Sequence, residues 1–438
     1  MSFNTRWLLT GALSLAFSFP ANAGAMVAED GAESVRISGS ARARYEHLSD
    51  AYRANRDGSD QQLSTVIRAL AEFDAGPVTV GIEAFDARGF LTDEGGVLSA
   101  SAINTAEILQ AYADFTAGEN TRVRVGRFTS RLGSQRLSVA NSFRNWPNVF
   151  DGVRVQHQAG ENTTVRAFYT IPVTAQPRDR AALLDNTAQA DEAAWGTHFW
   201  GVHMTRSGLG NNVTGEFYVL GLHEDPGSDV VTPGIRLTRP KGVGQVDMDL
   251  EGIYQFGEYT SGGNTFDVSA GTIHAAVGYT FDAPWQPRLS GQFAWASGDD
   301  DPLDNEWNRF DTLYGGRRFD FGQTGIFGPL SRQNLVTAGV RLEVRNGPVN
   351  FGILAEEARL ASDTDRWGPA RLRDSSGTSG DRIGFVIDTR FQWWIRPREL
   401  PLEAGAATLR RGDFAENAPN APTGSDPVYS YVMLTRKF

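Results

Sequence analysis

Arginine is the residue type best placed to do chemistry here: of 41 basic residues in a chain of 438, only Lys241 and Lys437 are lysine. Many arginines fall on one face of alternating segments: Arg36, Arg42, Arg44, Arg68, Arg122, Arg124, Arg154, Arg166, Arg341, Arg345, Arg382 and Arg390. A guanidinium stays charged and grips a carboxylate through two parallel hydrogen bonds. A row of them would pass a carboxylate-bearing solute from site to site. The same faces carry Glu46, Glu72, Asp114, Asp247, Asp249, Glu251, Glu343 and Asp388. The alternative is therefore a ladder of ion pairs that braces a wall. Asp299, Asp301 and Asp304 form an oxygen-rich cluster that could suit calcium. Their spacing is not that of an EF-hand, and a solvated loop explains them equally. Trp146 and Trp307 stand in long loops, where they could stack on sugar rings or join an aromatic girdle.

Catalysis finds little support. The six histidines have no metal-helix spacing, there is no Cys, and no Gly-x-Ser-x-Gly occurs. Neither an enzyme nor a cofactor is expected. The net charge of −11 argues against nucleic acid as a partner.

The elements that hold these arginines read as strands. Val35, Ile37, Gly39, Ala41, Ala43 and Tyr45 alternate with Arg36, Ser38, Ser40, Arg42, Arg44 and Glu46, and the pattern recurs at 63–74, 336–345 and 382–395. Period two marks a strand with two unlike faces. About 18 strands follow, near 35–47, 62–74, 77–86, 106–116, 121–128, 150–157, 162–171, 195–205, 212–223, 233–239, 245–257, 268–281, 287–297, 334–345, 348–359, 382–395, 399–410 and 428–438. Links after even strands are short, such as Ala75-Gly76 and Asn346-Gly347, and links after odd strands are longer and polar. That alternation predicts an all-β transmembrane barrel, with short periplasmic turns, long extracellular loops and both termini in the periplasm. The barrel must close, because lipid cannot satisfy a sheet edge.

The N-terminus predicts export. Arg6 precedes an apolar run to Phe19, and Ala21-Asn22-Ala23 offers a cleavage site. The run is too short for a spanning helix, which needs about 20 residues. Residues 1–23 are expected to be a signal peptide and 24–438 the barrel. The C-terminal Phe438, on one face with Val432 and Leu434, is the feature that outer-membrane assembly machinery is expected to read.

Ordered motifs run along the chain. Ala106 to Phe115 precedes Val125-Gly126-Arg127, then Gln135-Arg136-Leu137, Phe143-Arg144-Asn145-Trp146 and Phe150-Asp151-Gly152-Val153-Arg154. Leu250 to Gly257, Gly278 to Phe281, Pro287-Arg288-Leu289, Ala296 to Asp299 and Phe310 to Tyr314 follow. Their order and spacing resemble the alginate export family of outer-membrane proteins, from about Val35 to the C-terminus. The resemblance implies an 18-strand barrel and marks Arg127, Arg144, Trp146, Asp151 and Gly152 as motif residues. The function expected is a passive outer-membrane channel for an anionic oligo- or polysaccharide or for sugar acids. Loops 129–149 and 298–333 are expected to fold inward and narrow it. A general small-solute porin and a structural or enzymatic barrel are the alternatives. The partners expected are outer-membrane lipid, the sugar-acid solute and the assembly machinery.

Overall fold

The computed structural model describes residues 34–438 apart from 57, 94, 98, 141, 142 and 302, and the backbone of 26–27. The expected signal peptide at 1–23 lies outside the described residues. Eighteen long strands build the protein: β1 (Ser34–Leu48), β2 (Asp60–Asp74), β3 (Val78–Phe90), β4 (Asn104–Ala117), β5 (Thr121–Thr129), β6 (Val149–Gln158), β7 (Thr163–Thr174), β8 (Thr197–Arg206), β9 (Thr214–Glu224), β10 (Ser228–Arg239), β11 (Val246–Ser261), β12 (Asn264–Thr280), β13 (Arg288–Ala296), β14 (Leu335–Asn346), β15 (Val349–Arg359), β16 (Arg382–Arg396), β17 (Leu400–Arg411) and β18 (Val428–Lys437). Each pairs antiparallel with the next, and β18 pairs back onto β1, with Ser40 opposite Lys437 and Leu48 opposite Tyr429. The sheet is therefore closed, and every strand can satisfy its backbone without water.

Alternation sorts the two faces as lipid demands. Ile67, Ile82, Val125, Val202, Phe217, Ile235, Ile273 and Val340 are exposed on the outer face, while Arg44, Glu46, Gln62, Glu83, Asp247 and Glu251 are buried on the inner one. A soluble protein has the reverse distribution. The largest apolar cluster sits inside the barrel, where inward loops pack on the wall. Tyr52 stacks on Trp367 at 5.3 Å, and the Trp367 indole N–H donates to the Pro329 carbonyl at 2.7 Å. The C-terminal strand seals against β1. The Gly39 amide donates to the Phe438 carbonyl at 2.9 Å, and a Cβ on Gly39 would lie 2.6 Å from the Phe438 ring.

Two expectations are corrected. The links at 225–227 and 262–263 follow odd strands yet are tight. Val230, Val231 and Thr232 extend β10, and Gly262 and Gly263 (φ +60° and +83°) turn the hairpin that lengthens β11 and β12. The phase of β16 also slips. Gly384 sits at φ +143°, and a register shift follows between Ala358 and Arg359. Ile383 is consequently buried rather than turned toward lipid.

Candidate functional site

Beyond the short-turn end the lumen is narrowed. The loops 130–148, between β5 and β6, and 297–334, between β13 and β14, fold into it and join. Val139 N donates to Tyr314 O and Tyr314 N to Leu137 O, both at 3.1 Å, and Gly316 N donates to Gln135 O at 2.9 Å. The joined loops reach opposite walls. Toward β11, Arg136 meets Glu251 at 2.6 Å and Asp249 at 3.0 Å. Toward β16 and β1, the Gln323 amide donates to Asp388 at 2.7 Å and the Ile326 amide to Glu46 at 3.3 Å.

Between these loops and the short turns lie three recesses: one of about 400 Å³, beside Arg136, in which six basic side chains face four acidic ones, and two adjoining ones richer in positive charge. The larger, about 690 Å³, is lined by six basic side chains, including Arg341, Arg345 and Arg390, against Glu343 and Asp388. The smaller, about 260 Å³, is lined by six basic side chains, including Arg42, Arg68, Arg144 and Lys437, against Glu403 alone. A chain of net charge −11 thus concentrates positive charge in these two recesses of the lumen. Low-dielectric walls focus such a field.

The partners of each arginine grade its availability. Several are neutralised: Arg36 by Glu72 at 2.6 Å, Arg44 by Glu46 at 2.9 Å, Arg68 by Glu83 at 2.7 Å and Arg124 by Asp114 at 2.5 Å. Arg390 shares Glu403 with Arg318 at 2.5 and 2.7 Å. Others meet neutral groups. Arg341 donates to Gln292 and to the carbonyls of Phe319 and Asp320, Arg345 to Asn350, and Arg166 to Gln156. Arg42 donates to Asn145 at 2.8 Å and to the Arg144 carbonyl. Arg154 lies over the Phe128 ring at 5.4 Å, and Arg122 stands opposite Gln156 at the short-turn end of β5.

Arg382 is on the wrong face for the expected role. It pairs with Glu357, whose phase on β15 is that of the outward Phe351, because the Gly384 bulge has reversed the alternation. Of the motif residues, Arg127 binds Asp151 at 2.8 and 3.1 Å, on the outward face shared with Val125 and Val153. Gly152 faces Gly126 across β5 and β6, and a Cβ on it would meet the Tyr169 carbonyl at 2.3 Å. Trp146 is buried edge-on against Phe85, away from any solute. Trp307 is covered by Tyr259 at 4.3 Å and Arg309 at 4.5 Å. The calcium candidates are not gathered. Asp301 and Asp304 accept from Leu303 and Glu306 amides within their own turns, and the Asp299 amide donates to Asp365. Among the described residues no three His, Asp or Glu side chains form a metal-binding group.

Sequence reasoning missed Arg53, Arg317, Arg318 and Glu403. Arg53 donates to the carbonyls of Ile326 and Phe327, and Arg317 donates to that of Leu330. Burial lowers the Arg317 guanidinium to about 10, and like charge from Arg144 and Arg53 adds to the effect. The adjacent Arg317-Arg318 pair, followed by Phe319-Asp320 in a loop expected to fold inward, was the available signal.

The family model described as alginate export matches residues 34–426. A comparison with curated proteins finds no match. Solved structures share the fold. OpdL of Pseudomonas aeruginosa superposes with a TM-score of 0.60 at 13% identity, over 92% of this chain and 98% of that one. The outer membrane protein OpdK of the same organism gives 0.60 at 10% identity, over 92% and 98%. OccK2 (OpdF) of that organism, solved in complex with glucuronate, gives 0.58 at 13% identity, again over 92% and 98%. With a closed barrel of eighteen strands, a polar lumen and a matching family model over nearly all of its length, the chain is an outer-membrane barrel channel and belongs to the alginate export family.

Proposed function

We propose that the barrel passes sugar acids, from single uronates to short oligouronates, passively across the outer membrane, with its short turns and both termini in the periplasm. The observation that carries this reading is the pair of recesses in which basic side chains outnumber acidic ones six to two and six to one. Conduction needs binding strong enough to admit a solute and weak enough to release it. The arrangement meets both needs. Arg341 and Arg345 hold only neutral amide and carbonyl oxygens, which a carboxylate displaces because it adds an opposite charge and two parallel acceptors to the guanidinium. Arg318 and Arg390 already share Glu403, so an arriving carboxylate competes there and is held loosely. The glucuronate complex of OccK2 (OpdF) lends support from a protein of the same fold. The joined loops across the lumen favour small acids over a thick polymer strand.

The test is the reversal potential of the purified channel in a planar bilayer under a salt gradient, with and without glucuronate and oligouronates. Anion preference and partial block by the uronates are expected. A cation-preferring pore would overturn the solute assignment.

A further inference from the structure

We propose that loops 130–148 and 297–334 act as one strut across the lumen, locked by Arg136, and that solute passes with the strut in place rather than by its parting. The proposal rests on the channel reading above and concerns how the channel works, not what it prefers.

Arg136 ties together the two loops and the β11 wall, three of the parts that a moving gate would have to separate. It lies on the first loop. Its Nε and Nη2 donate to Asp320 of the second loop, both at 2.9 Å, and its Nη1 and Nη2 reach Glu251 and Asp249 of β11. Arg332 of the second loop also binds Asp320, and it donates to the Gly316 carbonyl at 2.6 Å and the Arg136 carbonyl at 3.4 Å. Arg136, Asp320 and Arg332 are all buried. Burial pushes the Asp320 carboxyl up, but the two guanidinium groups overcome it and hold it well below the usual carboxylate range. Parting the loops would strip a buried charge of its partners, which is strongly destabilising. The far end is fixed independently. Phe143 of the first loop lies beneath both Arg44 of β1 and Arg318 of the second loop, at 4.2 and 3.8 Å. The strut thus runs from β1 to β11, across the barrel. With its charge spent on three carboxylates, Arg136 is a positioning residue and not a solute ligand.

The geometry supplies its own test. A Cβ on Gly316 would lie 3.4 Å from the Val139 Cβ, close to the roughly 3.5–4.5 Å span of disulfides. The chain has no Cys, so a Val139→Cys/Gly316→Cys pair has no competing thiol. In the full-length channel, the oxidised and reduced pairs are expected to give the same conductance and the same uronate block. Loss of conductance on oxidation, restored by a reductant, would overturn the proposal. Arg136→Met is expected to add open-channel noise and sublevels without reversing selectivity, and Arg136→Lys to restore part of the quiet state. A quiet Arg136→Met channel would remove Arg136 as the lock. Should Arg136→Met fail to assemble, Asp320→Asn serves in its place with the same two outcomes. Selectivity, read in the same bilayers, reports on the solute assignment alone, so the two proposals fail separately.

Discussion

Arg318, on an inward loop, donates to Glu403 of β17 at 2.7 Å, and this one contact sets how much positive charge faces the solute. The other Glu403 oxygen takes Arg390 at 2.5 Å, and Tyr431 donates to the first. One carboxylate therefore masks two guanidinium groups. Glu403→Gln should unmask both, raise anion preference and tighten glucuronate block. It should also cost assembly, because breaking a buried ion pair destabilises by about 3–5 kcal/mol, an effect that the remaining amide oxygen of glutamine partly offsets. Reversal potentials that match the parent would show that these arginines lie off the path.

The two faces of β2 make opposite predictions for neighbouring residues. Ile67 is exposed toward lipid, and Arg68 points inward to Glu83 at 2.7 and 3.0 Å. Arginine at mid-bilayer on the lipid face costs about 2–4 kcal/mol. Ile67→Arg should depress the heat-modifiable, folded band on a denaturing gel. Arg68→Ala should depress it far less, because Gln110 still donates to Glu83 at 2.6 Å. Equal losses would contradict the outward phase of β2.

Strand number and facing were legible because period two is local. Ile67 and Arg68 declare their faces from immediate neighbours. Arg382 was misread because one glycine, Gly384, resets the phase, and glycine alone does not announce a bulge. The lumen interior was harder for a different reason. Arg136 and Asp320 are 184 residues apart, and Glu403 meets Arg318 across 85. No short-range pattern encodes such partners. An arginine bound by a carboxylate and one bound by a carbonyl read the same in sequence. Trp146 illustrates the limit from the apolar side: a loop tryptophan suggested sugar stacking or a girdle, and it fills a core with Phe85.

The loop 175–196 between β7 and β8 carries a pH dependence. Burial raises the Asp191 carboxyl to about 6, and its bonds from the Gln176 amide and the Asn104 side chain only partly offset this. A value above the unfolded one favours the protonated form in the folded state. The stabilising contribution is full below the ordinary carboxylate range and is lost as pH rises through about 6. Protection of residues 175–196 against hydrogen exchange, taken relative to the intrinsic base-catalysed rate, should therefore fall as pH rises from the ordinary carboxylate range through about 6. Asp191→Asn should flatten that dependence. A pH step that persists in the variant would assign the effect elsewhere.

Selectivity should follow partner chemistry rather than arginine count. Arg341 and Arg345 hold neutral oxygens, and Arg390 shares its carboxylate with Arg318. All three line the larger recess. Arg124 also points inward, but Asp114 binds it at 2.7 and 2.5 Å, and it lies 3.7 Å over the Tyr112 ring. Its field is cancelled at close range, while Arg341 and Arg345 project theirs into the recess. Arg341→Gln, Arg345→Gln and Arg390→Gln, combined, should shift the reversal potential toward cations and weaken glucuronate block. Glutamine keeps a donor for the nearby oxygens, so the wall should stand. Arg124→Gln/Asp114→Asn, which removes both members of that pair and leaves the net charge unchanged, should leave selectivity and block close to the parent. If removing that pair moved the reversal potential as far as the triple variant does, Asp114 would not be cancelling the field of Arg124, and the graded availability of the arginines would be wrong.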